Sequence, residues 1–338
     1  MDARPARAQP TIYDVARHSG VAASTVSRTF SNPRRVNHTT RERVRTAARE
    51  IGYAPRPLAR AEAPGRSRTL TLVVTDISNP YYAAVIKSAQ ERAIERNYTL
   101  ALTDSDESPQ VEASNLRQLL ATTSGGVLAT SRLSDDVVRE LSRHRPLVMV
   151  NRQIEGIPSL VVDTPGGMRK AVRHLAALGH DQIAYLAGPR NSWINGQRWA
   201  AACDEAAQLG LRATHLGPFS PNRAGGREAA DALLLDGAPA ALAYNDLIAI
   251  GALQQLQARG VRIPEERSLV GCDDIFGADL TTPGLTTVAG PAGSLGKYGV
   301  DIVHASLTGQ NTWPAARSFE AHLVVRGSTG PPAATAGN

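Results

Sequence analysis

Residues 11–53 read TIYDVARHSGVAASTVSRTFSNPRRVNHTTRERVRTAAREIGY, and their pattern is that of three short helices packed around a glycine turn. Thr11, with Asp14 three positions on, makes a capping-box-like helix start, and Ile12, Val15 and Ala16 give that helix one apolar face. Gly20 breaks it, because glycine supplies the backbone angles a tight inter-helix turn needs, and Val21 packs behind the turn. The second helix, near residues 23–30, carries Ala23, Ser24, Ser27 and Arg28 on a polar side while Val26 and Phe30 turn inward. One α-helix of this kind fits the major groove of duplex DNA. Asn37 then caps a third helix in which Val44, Ala47, Ala48 and Ile51 recur at helical spacing.

Charge points the same way. Residues 1–68 hold fourteen Arg and no Lys against five acids, a formal net of +9; with +6 for the whole chain, the remaining residues carry −3. A basic head on a mildly acidic body fits a polyanionic partner bound at the head. Arginine-rich helices can also be plain solvated faces, but capped helices around a glycine turn with the same charge excess favour double-stranded DNA.

At 338 residues the chain predicts two or three domains, and with 42% hydrophobic but only 4% aromatic residues its core is built from Ala, Val, Leu and Ile. MDARPARAQP has no apolar stretch, and no run of 18 or more apolar residues follows, so neither a signal peptide nor a membrane span is expected and the protein should be cytoplasmic. Cys203 and Cys272 fit neither a disulfide framework nor a metal site. His174 and His180, flanking a helix end, read as capping or surface residues.

After the Pro- and Arg-rich segment 54–68, short apolar runs (TLTLVVTD, YTLALTD, GGVLAT, PLVMVN, SLVVD, QIAYLAG, PAALAYND, SLVGCDD) alternate with amphipathic stretches near 80–97, 166–179, 196–209 and 246–259. Apolar strands separated by helices mean parallel sheet covered on both faces, and the length calls for two such sheets, divided near residues 163–167. Asp76, Asp104, Asn151, Asp163, Asn245, Asp273 and Asp274 fall at strand ends, where open α/β sheets bind ligands. Asp or Asn there also caps the next helix, the role expected of Asp163 and Asp246. No phosphate loop, dinucleotide fingerprint, nucleophile elbow or histidine pair occurs, so no catalytic residue, metal or cofactor is expected.

The stretches YDVARHSGVAASTVSR, RERV, GYAPRPLAR, ISNPYY, LGHDQIAYLAGP, YNDLIAIGAL, VGCDD and PGLTTV, in that order between Thr11 and Gly327, resemble the LacI/GalR family of bacterial transcriptional regulators. The resemblance implies an N-terminal helix-turn-helix head, a hinge helix, and a two-lobed α/β core like that of periplasmic binding proteins, which dimerises. It implies a repressor of carbohydrate-catabolic genes that binds a palindromic operator and answers to a sugar-like effector. Position by position, Ala23, Ser24 and Arg28 take base-reading places, Arg28 with a fork suited to guanine. Tyr13, Thr25, Ser27, Asn37, Thr40 and Tyr53 match positions that touch phosphates or set register. Tyr81, Tyr82, Asn151, Arg198, Phe219, Asn245 and Asp273 fall at effector-contacting places; aromatic faces with Arg, Asp and Asn suit a polyol. Arg198 and Asp273 have an alternative reading as a structural ion pair across the cleft.

The chain departs from the family pattern in the hinge, where Glu62 replaces a groove-wedging leucine and Pro57 and Pro64 leave barely two helical turns. Arg56 and Arg60 are then expected to supply backbone contacts to DNA. Ala22 replaces the usual serine before the second helix, and Ser31 a frequent asparagine. The expected division is a disordered basic arm (1–10), head (11–55), hinge (56–68), core (69–327) and a disordered tail (328–338). Within the core, an N-lobe takes 69–163 plus 293–321 and a C-lobe 164–292 plus 322–327. With no C-terminal leucine heptad the expected assembly is a homodimer. A transport receptor would need an export signal and no basic head, and an α/β enzyme a reactive group in the cleft; both requirements are unmet.

Overall fold

The computed structural model describes residues 10–31, 35–51, 53, 67–310 and 314–333. The chain divides into two compact units, Met1–Arg66 and Ser67–Asn338. Among sequence expectations, the arm up to residue 9, the hinge with Arg56, Pro57, Arg60, Glu62 and Pro64, and the tail from residue 334 lie outside the described residues.

The first unit is built from α1 (Ile12–Ser19), α2 (Ala23–Ser31) and α3 (His38–Glu50). The Thr11 backbone N–H and hydroxyl both donate to Asp14 Oδ2, at 2.8 and 2.7 Å, so the expected capping box closes. Gly20 ends α1 with φ +65°, a left-handed angle that a Cβ would disfavour. Val15, Val26, Val44, Ala47 and Ala48 meet in a core to which each helix contributes. Ala22 offers only its carbonyl to the start of α2, accepting from Thr25 and Val26, whereas the Asn37 side chain accepts from Thr39 N and caps α3.

The second unit has two six-stranded sheets. In the N-lobe, β1 (Thr69–Val74), β2 (Thr99–Asp104), β3 (Gly125–Ala129), β4 (Leu147–Val150), β5 (Ser159–Asp163) and β11 (Ala316–Glu320) run parallel in the order β11-β5-β4-β3-β1-β2. In the C-lobe, β6 (Gln182–Leu186), β7 (Arg212–Leu216), β8 (Ala240–Ala243), β9 (Ser268–Cys272), β10 (Thr286–Ala289) and β12 (His322–Val324) take the order β12-β10-β9-β8-β6-β7, antiparallel only between β10 and β12. Helices α4 (Tyr81–Glu95), α5 (Pro109–Leu120), α6 (Asp135–Ser142) and α11 (Ala292–Thr308) cover the first sheet; α7 (Thr164–Ala177), α8 (Trp193–Gln208), α9 (Arg223–Asp236) and α10 (Asp246–Ala258) cover the second. The chain passes between lobes three times, at β5 to α7, β10 to α11 and β11 to β12.

Central strands such as β3, β4 and β9 are buried along their whole length, as apolar runs require when helices cover both faces. Strands β7, β10, β11 and β12 carry no strand signature in the sequence: β7 and β11 are half-exposed edge strands without an apolar run, and β10 and β12 hold only four and three residues. No described helix is long and apolar enough to cross a membrane.

Two expectations change at the C-terminus. The Ser328 hydroxyl accepts from Thr286 N and donates to Leu269 O, and Gly330 N donates to the Ser268 hydroxyl. The chain past Gly327 is therefore tied to β9 and β10 where a disordered tail was expected, because this segment satisfies backbone groups that would otherwise be buried without partners. His180, expected at the surface or in a cap, is 4% exposed and bonds through Nε2 to the Ser268 hydroxyl and the Gly330 carbonyl.

Candidate functional site

On the head, α2 turns Val26 and Thr29 into the core, 0% and 1% exposed, and leaves Ser24 and Arg28 open to solvent, with Ala23, Thr25 and Ser27 half-buried beside them. The Thr29 hydroxyl donates to Thr25 O, which keeps it from competing on the outer face. Tyr13 is exposed on α1, Asn37 and Thr40 lie at the start of α3, and Tyr53 packs tilted against Phe30 with ring centroids 6.0 Å apart. The result is a rigid helix presenting one guanidinium and small polar side chains.

In the core, both sheets reverse strand order between their first strand and their third, β1/β3 in one and β6/β8 in the other. Ligands of doubly wound sheets bind outside the carboxyl ends of the strands at such a point. Here the two switch points face one cleft, lined by Asn79, Tyr81, Tyr82, Glu107, Thr130, Asn151, Ile194, Arg198, Pro221, Tyr244, Asn245 and Asp273. The lobes leave about 20 Å³ between these side chains, room for roughly one water.

Each polar group in the cleft is held by others. Asn151, just past β4, donates from Nδ2 to Tyr81 Oη at 2.6 Å and accepts from Val162 N at 3.1 Å, so one amide fixes the tyrosine and the neighbouring strand end. Tyr82 Oη bonds the hydroxyls of Thr75 (2.6 Å) and Thr130. Arg198, buried on α8, donates from Nε to Thr164 Oγ1 (3.0 Å), from Nη1 to Tyr244 O and from Nη2 to Asp273 Oδ1 (3.2 Å). Asn245 caps α10 through Ile248 N and donates to Pro221 O, both at 2.9 Å. Between the lobes, Arg132 donates from Nη2 to Tyr244 Oη at 3.4 Å and from Nε to Glu107 Oε2 at 2.6 Å, while Tyr244 Oη shares a bond with the Ser192 hydroxyl at 3.1 Å. Buried Glu112 accepts from Arg132 N at 2.8 Å and so pins the segment that carries the guanidinium.

Backbone strain concentrates here. Seven described non-glycine residues have positive φ, and four of them, Glu107, Thr130, Asn151 and Asp273, line the cleft. For the β-branched Thr130, φ +54° is a costly conformation. Strain of about 1–3 kcal/mol per residue persists where surrounding structure imposes it, commonly at ligand sites. Gly188 serves the same end differently: a Cβ there would stand 2.4 Å from the Tyr244 ring, so glycine lets that tyrosine reach the cleft. Burial pushes the Asp273 carboxyl up to about 6, against the pull of Arg198, and burial followed by the charge of Asp273 pushes Asp246 to about 7.

Six of the seven core residues singled out from the sequence line this cleft; Phe219, half-buried against Gly217, does not belong to the lining. Arg198 and Asp273 do pair, but on the wall of one lobe and not across the cleft, because α8 and the end of β9 belong to the same lobe. Asp163 caps α7 as expected. Asp246 does not cap α10; Asn245 does, leaving Asp246 to accept from Thr287 Oγ1 at 2.6 Å and Ile275 N at 2.9 Å. Sequence reading missed Glu107, Arg132 and Tyr244. Tyr244, at the end of β8, and Thr130, at the end of β3, were available to the strand-end rule; Glu107 and Arg132 lie in the loops that follow β2 and β3, with no periodicity to mark them. Among the described residues no group of three or more His, Cys, Asp or Glu is placed to hold a metal.

Residues 11–56 match the model of bacterial regulatory proteins of the lacI family, and residues 172–329 that of a periplasmic binding protein-like domain. The HTH-type transcriptional repressor CytR of Escherichia coli K12 is 30% identical over 97% of this chain and 99% of its own length. Among solved structures, the lac repressor dimer bound to operator and the anti-inducer ONPF superposes with TM-score 0.79 at 26% identity, covering 96% of this chain and 100% of that one. The transcriptional regulator CelR in complex with cellobiose gives TM-score 0.70 at 27% identity, with 94% and 99% covered.

Proposed function

We propose, for a chain that belongs to the lacI family of bacterial regulatory proteins, the working of a transcriptional repressor of carbohydrate-catabolic genes. It binds a palindromic operator as a homodimer in the cytoplasm and is controlled by a sugar-like small molecule. It is not an enzyme. The observation that carries the control is the convergence of four strained residues and Arg198 on one inter-lobe cleft, whose lining residues Glu107 and Tyr244, one from each lobe, are both bonded by Arg132.

In this reading α2 enters the major groove, with Arg28 donating in bidentate fashion to guanine O6 and N7 and with Ala23 and Ser24 beside it against base edges. Tyr13, Thr25, Ser27, Asn37, Thr40 and Tyr53 position the head on phosphates and carry no sequence information. Arg56 and Arg60 add phosphate contacts. One head reads one half-site, so a two-fold dimer matches an inverted repeat. For a cleft of about 20 Å³, a sugar enters only if the lobes open, and its hydroxyls then bond Asn151, Arg198, Asn245 and Asp273 while Tyr81 and Tyr82 lie against its C–H faces. Effector binding thus selects one inter-lobe angle, and the dimer passes that choice to the heads; a coupling of ~1–3 kcal/mol is enough for regulation.

Operator affinity of the full chain, titrated against candidate sugars at fixed salt, tests the scheme. A change of at least ~5-fold with a sugar that also binds the core is expected; a sugar that binds the core and leaves operator affinity untouched overturns the allosteric part.

A further inference from the structure

Charge in the cleft narrows the effector further. Resting on the effector reading above, we infer that this site takes an uncharged, hydroxyl-rich ligand and rejects its phosphate ester, because each arginine facing the cleft is already matched by a carboxylate.

A phosphate is recognised by cationic donors that are free to form parallel bonds to its oxygens. Arg198 uses three of its five N–H groups on Thr164, the Tyr244 carbonyl and Asp273, and that carboxylate already matches its charge. Arg132 spends Nε on Glu107 and Nη2 on Tyr244. Asp274, next in the chain, is matched by Arg326 at 2.7 Å. Asp246 lies directly behind the Asp273 wall, fully buried, and its two hydrogen bonds come from neutral donors, a backbone N–H and a threonine hydroxyl. The charged side chains that line the cleft are two acids, Glu107 and Asp273, and one base, Arg198; Arg132 is bonded to Glu107, and buried Glu112 and Asp246 stand behind the wall, so the field meeting a ligand carries no excess of positive charge. An anionic ester would have to displace Glu107 or Asp273 from its arginine and share a desolvated space with it, and like charges so placed are strongly penalised. An uncharged polyol instead donates its hydroxyls to those carboxylates and leaves both ion pairs in place.

The test uses the full-length dimer with ribose, glucose and cellobiose, each beside its phosphate ester, and intrinsic tryptophan fluorescence as the binding readout, two of the three tryptophans, Trp193 and Trp199, lying on α8. The neutral member of any binding pair should be at least ~30-fold tighter than its ester; an ester that binds as well or better overturns the inference. Inorganic phosphate alone gives a second measurement that needs no known effector. At constant ionic strength it should affect the wild-type melting temperature no differently from the Arg132→Gln variant, and it should stabilise Glu107→Gln, whose Arg132 has lost its carboxylate, by several degrees more than wild type. Wild-type stabilisation by phosphate that Arg132→Gln abolishes also overturns it. Binding alone scores this inference, whereas loss of the effect on operator DNA despite binding is a failure of the allosteric scheme.

Discussion

Replacing Asp246 by asparagine should make the core more stable at neutral pH and not less. The wild-type carboxyl is wholly buried, and burial followed by the nearby Asp273 charge raises it from 3.8 to about 7. A group raised in the folded state contributes stability that is complete below its unfolded value and is lost as pH climbs through its folded one. The loss therefore runs from pH ~4 to pH ~7, about three units at ~1.4 kcal/mol each, or ~4 kcal/mol in all. Asparagine reproduces the protonated carboxyl: its carbonyl can accept from Ile275 N while its amide donates to Thr287 Oγ1, the two partners already in place. Thermal unfolding of the full chain from pH ~4 to pH ~8 should show the variant level with wild type at the acid end and ~10 °C more stable above pH ~7. A gap that does not change with pH, or a variant less stable than wild type at pH ~8, refutes the reasoning.

Arg28→Ala should abolish the preference for operator over random duplex while leaving weak, salt-sensitive binding, measured by gel shift at two salt concentrations; equal losses on both DNAs would remove base readout from Arg28. Val26→Ala, which removes two methyl groups from a fully buried site, should cost the head about 2 kcal/mol and weaken operator binding, with ligand binding by the core unchanged. An operator affinity equal to wild type would show that the small head core tolerates the cavity. Gly188→Ala should push the Tyr244 ring from the Arg132 contact at a cost of ~1–3 kcal/mol, blunting the effector response but not operator binding in its absence. A normal response would mean that the Arg132 to Tyr244 contact plays no part in closure.

Much of this molecule is local in origin and so is legible along the chain. The Thr11 to Asp14 capping box, the Gly20 turn and the spacing of Val15, Val26 and Val44 specify the head because each acts over a few residues. The central strands announce themselves as unbroken apolar runs because helices bury both their faces. The ends of those runs pointed to Asn151, Asn245 and Asp273, since the strand direction in a parallel sheet sets which edge a residue occupies. What no reading along the chain could supply is which charges meet. Glu107 and Arg132 are 25 residues apart in loops without periodicity, and they meet only because β2 and β3 flank β1 in one sheet; the contact from Arg132 to Tyr244 across 112 residues exists only because the ends of β3 and β8 face one cleft. The cap of α10 fell to Asn245 and not to Asp246 for the same reason: both residues can cap a helix, and only the position of Thr287 and Ile275 turns the Asp246 carboxyl inward. Helix caps and strand faces follow from neighbours in sequence, whereas the electrostatic balance of the cleft depends on distance in space, which sequence separation does not set.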